Sequence, residues 1–495
     1  METRKDNPVS IKKNFIMNAI LTMSSIIFPL ISFPYVSRIL GPDGIGKVSF
    51  AVSFVMYFDI FAQLGIPSHG IRECAKVRDD VRKLSRVVAE LVIINCVMTF
   101  LIYTILFCVI FLVPSLRGDK TLYIICSMAI ILNTIGMNWL FQGLEKYTYI
   151  TVRSLIFKGL ALVGMFLLIK SHSDYEKYAG LVIFSGYASN VLNLIYAKKL
   201  VRLSGLGGLD FRRHFKPIGV FFASSCATTI YLNLDNVMLG FIKSKTDVGY
   251  YNAAVKVKML LVNMVTALGT VLLPRLSYYV EHRKMDKFKA VSGKALHFVL
   301  VVSIPLMVYF IIFANPAIML LSGRQYSNAV LPMQIIMPTL VFIGITNIMG
   351  IQILVPLGME KLVLFSEIGG AITDIILNAA LIPFWGASGA ALGTAAAEIV
   401  VLIIQYRYLH KLGYLPSANA NTRLLFGATA AAAAASAPTY LFGFMDNMRL
   451  ETGSALTIII SGSVFFTLYG TILLIFKDSV ALEMCSAVQK KLRGL

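Results

Sequence analysis

The chain has 495 residues, of which 57% are apolar and 14% charged, and its mean hydropathy is +0.76. This composition excludes an ordinary soluble globular protein, where apolar residues make up about half at most. About 280 apolar residues suffice for roughly fourteen spans of about 20 residues each and leave little for a soluble domain. A net charge of +20, from 45 Lys+Arg against 25 Asp+Glu, would suggest nucleic acid in a soluble chain; in a polytopic one its placement matters more.

In chain order, apolar runs fall near 14–37, 46–65, 88–113, 121–142, 151–169, 178–197, 217–241, 249–273, 293–314, 331–357, 362–384, 387–408, 424–444 and 454–476. They predict an all-α integral membrane protein. The first run follows Lys12 and Lys13, is too long for a signal h-region and is expected to persist as a span, with the mature chain starting at or near Met1. Pro29 and Pro34 remove backbone donors from that span, so it is expected to bend and to serve as a gate. Arg38, near its end, either anchors the interface or guides an anionic group.

Gly41 to Val48 satisfies the spacing of a phosphate loop but has Val48 where Ser or Thr must hold magnesium, and no strand precedes it. It is a turn between spans. Segments 71–87 and 275–290 repeat apolar residues at helical spacing among basic ones and predict interfacial amphipathic helices. The tail from Ser479 carries Ala481, Met484, Val488 and Leu492 on one face and reads the same way. The Ala430 to Ala435 run suits either close helix packing or a groove for an acyl or prenyl chain.

Ionisable residues inside spans are costly and are candidates for function. Asp59, Lys158, Asp235, Lys256, Lys258, Glu367, Asp374 and Glu398 all fall there. Lys256 and Lys258 point in different directions on a helix, which predicts one facing a central cavity and the other reaching the interface. Glu367 and Asp374 are seven apart and share a face that Asn378 extends, suiting either a cation or proton site or a buried polar network. Asp235 contacts substrate or ion, or bonds between helices. Six cysteines lack paired spacing and six histidines are scattered without ligand spacing, so neither disulfide nor metal is expected. No nucleophile and base form a recognisable motif, which predicts no enzymatic chemistry.

Sorting Lys and Arg onto alternate sides puts about 33 on the side of both termini and about 10 on the other, which predicts cytoplasmic N- and C-termini and contact with anionic lipids. A duplication organises the whole. Leu40-Gly41, Gly46 and Leu64-Gly65 are echoed by Leu239-Gly240, Gly249 and Leu268-Gly269; Gly143 to Lys146 by Gly358 to Lys361; Gly180 by Gly389. The even number of spans per unit predicts two lobes inserted the same way up, 1–200 and 201–412, with 413–495 supplying spans thirteen and fourteen and the tail. That is the parallel-repeat plan of an alternating-access transporter with its site between lobes. Both lobes are in one chain, so a monomer is expected.

Val36 to Gly41 with Gly44-Ile-Gly46, Leu234 to Gly240 with Val248 to Ala254, and Gly143 to Lys146 together resemble the polysaccharide-repeat flippases of O-antigen and capsule type, in the multidrug, oligosaccharidyl-lipid and polysaccharide exporter superfamily. Leu268 to Pro274 is similar to the corresponding part of the lipid II flippases. The resemblance implies twelve core helices around a cationic cavity that carries a polyprenyl-diphosphate-linked oligosaccharide between leaflets. It implies no bound cofactor, with coupling to Na+, H+ or the membrane potential, and a polysaccharide polymerase and glycosyltransferases as partners. Lys256 falls near a cavity arginine of the lipid II flippases, and Asp59 stands about where that family carries a basic residue. On this reading Lys256, with Arg38, Asp235, Asp59 and Lys258, contacts substrate, while Glu367, Asp374 and Asn378 are ion-coupling residues. The rival expectations are a lipid II flippase, a multidrug or metabolite antiporter of the same superfamily leaning on Asp59, Asp235 and Glu367, and a non-transporting scaffold for cell-wall assembly.

Overall fold

A computed structural model describes residues 11–201, 207–415, 422–438, 450–483 and 485–486. Its described residues form an all-helical protein. Two of its helices, α1 (Ile11–Gln63) and the later Glu360–Leu412, each run for 53 residues. At 1.5 Å per residue such a helix is about 80 Å long, far more than the ~30 Å of hydrocarbon in a bilayer. Each is in fact broken once. Gly41 adopts φ 67°, ψ 179° in the first and Gly386 φ 51°, ψ −126° in the second, positive φ values that glycine takes without a Cβ clash. Pro42 then opens the second half of α1, where its fixed φ suits a helix start and its missing N–H costs no ladder bond. The turn expected between spans one and two is therefore a single-residue break.

After α1 come α2 (Ile66–Lys76), α3 (Val81–Leu112), α4 (Lys120–Gly136), α5 (Asn138–Gly143), α6 (Tyr147–Leu168), α7 (Tyr175–Ile183), α8 (Asn190–Leu200), α9 (Arg212–Ile242) and α10 (Lys245–Glu281). Then follow α11 (Met285–Ile312), α12 (Ala314–Ser322), α13 (Val330–Ile336), α14 (Thr339–Thr346), α15 (Glu360–Leu412), α16 (Thr422–Ser436) and α17 (Leu450–Ile475). Nine described helices are long and apolar enough to cross a membrane, or up to eleven if each of two bent pairs is one span. The α1 and α15 helices each divide at a glycine into two stretches, and Leu424–Ser436 is a shorter apolar helix. Large apolar side chains such as Phe100, Leu112, Leu167, Val220 and Phe384 remain exposed, as lipid-facing positions must be.

The interfacial helices expected at 71–87 and 275–290 differ from that reading. The first is split: α2 ends at Lys76, and α3 starts at Val81 behind Asp80, whose carboxylate accepts from the N–H groups of Arg82 and Lys83, both at 3.0 Å. These bonds hold the Asp80 carboxyl below its ordinary range. The second is absorbed into longer helices, since α10 extends to Glu281 and α11 begins at Met285. Helical periodicity was real in both; the end points were set by the cap and by Arg283, whose φ is 54°. In the tail, Asp478 accepts from Val480 and Ala481 and pairs with His297 at 2.8 Å, while Met484, Val488 and Leu492 lie outside the described residues.

The chain divides into two compact units, Met1–Gly249 and Tyr250–Leu495. The core of the first gathers Cys74, Leu84, Leu91, Trp139, Phe141 and Ile150. Gly70 lets the Trp139 indole lie against α2, because a Cβ there would come within 2.6 Å of the ring. In the second unit α16 and α17 dock on α11 through Tyr309, Phe313, Leu425, Phe465 and Tyr469. Tyr469 donates to the Val301 carbonyl at 2.9 Å, which ties α17 to α11.

Candidate functional site

The candidate residues of the first unit lie on α1, α6 and α9. Asp59, half-buried, accepts from Gln63 Nε2 (3.3 Å) and from Asn133 Nδ2 (3.0 Å). Gln63 also donates to Thr134 (3.2 Å), which shares a 2.8 Å bond with Thr99. A carboxylate, two amides and two hydroxyls thus link α1, α3 and α4. Arg38 donates from Nη1 to the Pro34 carbonyl at 2.8 Å, turning back onto its own helix. The backbone stays helical through Pro29 and Pro34, with Gly41 the non-helical residue of α1. Asp235 is buried on α9, next to Asn236, whose amide donates to Ser53 on α1 at 3.0 Å. Lys158, buried on α6, donates to Ser24 and Ser25 on α1, both at 2.8 Å.

In the second unit Lys256 and Lys258 lie on α10, both half-buried, and neither has a hydrogen bond or ion pair among the described residues. At 100° per residue they project about 160° apart. Asp374 and Asn378, one turn apart on α15, are buried and both reach Gly393 in the other half of that helix, where a Cβ would come within 2.4 Å of Asn378 Oδ1 and 3.0 Å of Asp374 Oδ1. Glu367 is half-buried and has no such bond among the described residues. The structure brings Asp374 and Asn378 together and ties Asp59 to amides, while Arg38 is engaged with its own helix.

One cluster escaped the sequence. His69 on α2 and His214 on α9 are 145 positions apart, yet His69 Nε2 and His214 Nδ1 share a 2.8 Å bond. His214 Nε2 lies 2.8 Å from Glu90 Oε2 on α3, and Glu90 also pairs with Arg213 and accepts from the Asp210 N–H at 2.8 Å. Because the carboxylate accepts, His214 donates from Nε2; as a neutral ring it then accepts at Nδ1 from His69 Nε2–H. That leaves His69 Nδ1 as a buried acceptor without a donor. Burial, and after it the neighbouring His214, hold the His69 imidazole below its ordinary value. On the same helix Glu73 also lies low, since its 2.7 Å pair with Lys76 outweighs the upward push of burial, and burial raises the Cys74 thiol to about 12. No group of three or more His, Cys, Asp or Glu among the described residues could hold a metal ion.

The phosphate-loop-like segment is accounted for as a break in α1. Its Lys47 pairs with Asp43 at 3.0 Å, one helical turn back.

Apolar helices of span length with ionisable groups inside them define a multi-pass membrane protein. The model of the polysaccharide biosynthesis protein family matches residues 11–280, and that of the lipid II flippase MurJ matches residues 156–460. A protein of Escherichia coli (strain K12) named "Putative O-antigen transporter" is 26% identical over 408 residues, covering 81% of this chain and 97% of the relative. A "Probable flippase AglR" of Haloferax volcanii is 27% identical over 183 residues, 37% of this chain and 38% of the relative. Among solved structures, "Lipid II flippase MurJ, inward closed conformation" superposes with TM-score 0.69 at 16% identity, covering 94% of this chain and 100% of that one. An inward-facing multidrug resistance MATE family transporter of the MOP superfamily superposes with TM-score 0.64 at 16% identity, covering 80% and 97%. The chain belongs to the polysaccharide biosynthesis protein family, and its fold is that of the MurJ and MATE structures.

Proposed function

We propose that this chain is a flippase that carries polyprenyl-diphosphate-linked oligosaccharide repeat units from the inner to the outer leaflet of a bacterial cytoplasmic membrane for polysaccharide export. The observation that carries this is the family match over 11–280, and relatives named as O-antigen transporters and flippases support it. The termini are cytoplasmic, following the basic bias. The two lobes, 1–200 and 201–412, alternate access, with Pro29 and Pro34 in the gating helix. The chain acts as a monomer, beside a polymerase and glycosyltransferases, and performs no enzymatic step.

Lys256 neutralises the diphosphate. It is an ammonium on a membrane helix with no hydrogen bond or ion pair among the described residues, which suits an anionic cargo. Arg38, Asp235, Asp59 and Lys258 complete the substrate contacts, and Glu367, Asp374 and Asn378 are the ion-coupling set. No cofactor takes part. With the cytoplasm negative, exporting about two negative charges is favoured by about 4–5 kcal/mol per 100 mV, so the potential drives the carrier outward and Na+ or H+ resets it.

The test is a Lys256→Ala variant in a cell that depends on this chain. Export falls at least about tenfold at normal protein abundance if the ammonium replaces lost hydration around the diphosphate; wild-type export excludes the role. A drug antiporter would instead give competition by cationic dyes in vesicles and none by lipid-linked sugar.

A further inference from the structure

The first unit holds a cavity of about 560 Å³ that is distinct from the residues assigned to transport. It is lined by Lys13 at the start of α1, Lys146, Thr148, Tyr149 and Arg153 around the start of α6, and Tyr196 on α8. We propose that this cavity binds the phosphate headgroup of an anionic membrane phospholipid as a resident ligand. The proposal rests on the membrane fold and not on the identity of the transported cargo.

Arg153 is the reason for a negative ligand. It is 5% exposed. Its Nη atoms donate to neutral groups, Ser189 at 2.8 Å, Asn190 at 3.0 Å and Asn138 at 2.5 Å, while its Nε–H has no acceptor. Among the described residues no carboxylate pairs with it. A buried guanidinium without a counter-charge is costly, and an anion in the adjoining cavity supplies both the charge and the missing acceptor. The carboxylate in the lining, Glu145, is already paired with Arg78 at 2.8 Å.

The remaining wall fits the same ligand. Lys13 and Lys146 add two cations, and Thr148 and Tyr149 belong to the first turn of α6, whose N–H groups have no intrahelical acceptor and whose dipole favours anions. Tyr149 and Tyr196 form an edge-to-face pair with centroids 4.8 Å apart, amphipathic rings of the kind found at headgroup level. Beyond them Val152 and Ile156, 49% and 54% exposed, continue along α6 as an apolar track for acyl chains. A soluble anion would use the cations but leave that track idle, which favours a lipid.

The experiment uses the full chain in neutral detergent, titrated with dioleoyl phosphatidylglycerol, dioleoyl phosphatidylcholine or sodium phosphate and read by thermal melting and native mass spectrometry. Phosphatidylglycerol is expected to raise the melting temperature and persist as a bound adduct, with the other two inert. Lys13→Gln/Lys146→Gln, a change at the rim, is expected to weaken phosphatidylglycerol binding roughly tenfold or more, because each interfacial cation contributes appreciably. Arg153→Gln is expected to abolish it, and the rim pair keeps the test open if that variant does not fold. The same double change at exposed Lys83 and Lys294 is expected to leave affinity within about twofold. Equal stabilisation by phosphatidylcholine, full reproduction by phosphate alone, or unchanged binding in the rim variant would each overturn the proposal.

Discussion

Gly46 and Gly249, which echo each other in the duplicated sequence, meet in the fold. A Cβ on Gly46 would lie 1.7 Å from the Lys245 carbonyl oxygen and 2.9 Å from Gly249 N, and a Cβ on Gly249 would lie 1.9 Å from the Pro42 carbonyl oxygen. Each glycine therefore faces the backbone four positions before the other, a reciprocal contact between α1 just past its break and the start of α10. Lys245 closes the joint, with Nζ 3.0 Å from the Phe50 ring centroid and donating to the Gly240 carbonyl at 2.9 Å.

Backbone cannot yield as a side-chain tip can, so Gly46→Ala or Gly249→Ala is expected to cost about 3 kcal/mol or more. Melting of the purified protein in detergent and its yield in membranes measure this. Gly219→Ala on α9, where a Cβ meets nothing within 4 Å, is the matched control and is expected to be neutral or slightly stabilising.

Removing the Glu90 carboxylate strands a buried His214, the Arg213 guanidinium and the Asp210 N–H together. Glu90→Ala is therefore expected to destabilise by about 2–4 kcal/mol, held below the full penalty of a buried pair because Arg213 is 43% exposed. Denaturation of wild type and variant side by side gives the number, and a change below about 0.5 kcal/mol would show that the cluster is not structural.

His69 makes stability depend on pH. Its folded value lies below the ordinary 6.5, so between the two values the unfolded chain binds more protons and stability falls as pH drops through about 6.5. The groups facing it are His214 and Arg213 from α9, Glu90 from α3, and Arg72, Glu73 and Lys76 on α2. Glu73, held low, contributes its stability above its unfolded value near 4.5 and loses it only on further acidification, outside this window. Melting temperatures from pH 7.5 to 5.5 are expected to decline in wild type and to flatten in His69→Gln.

Both groups bonded to Asp59 are amide donors. In Asp59→Asn one oxygen at most can accept, and an NH2 is turned toward another NH2, so a loss of about 1–2 kcal/mol is expected. Asp59→Leu is expected to lose more, and thermal melting of the pair separates the hydrogen bonds from the charge.

The helical, polytopic class was legible because apolar runs repeat at span length, and the break at Gly41 was marked by Gly-Pro. Asp374 and Asn378 were placed on one face by spacing alone, and the structure sets both against Gly393. Periodicity could not end the helix around 71–87, because that depends on Asp80 folding back onto two N–H groups. The His69–His214 pair left no trace in the sequence, since 145 positions separate partners that only tertiary packing joins. Arg153 was likewise unremarkable as one basic residue near a span end; its burial without a carboxylate is a property of the fold.

Movement of a lipid-linked oligosaccharide across a bilayer by this protein is read out by reconstitution. Purified protein in liposomes holding a polyprenyl-diphosphate-linked oligosaccharide, with outward exposure followed by a sugar-specific probe, is expected to expose the cargo far faster than protein-free liposomes. The Lys256→Ala protein, melting as wild type, is expected to lose at least about tenfold of that rate. Folded wild-type protein that exposes no more cargo than empty liposomes would show that it is not a flippase for this cargo.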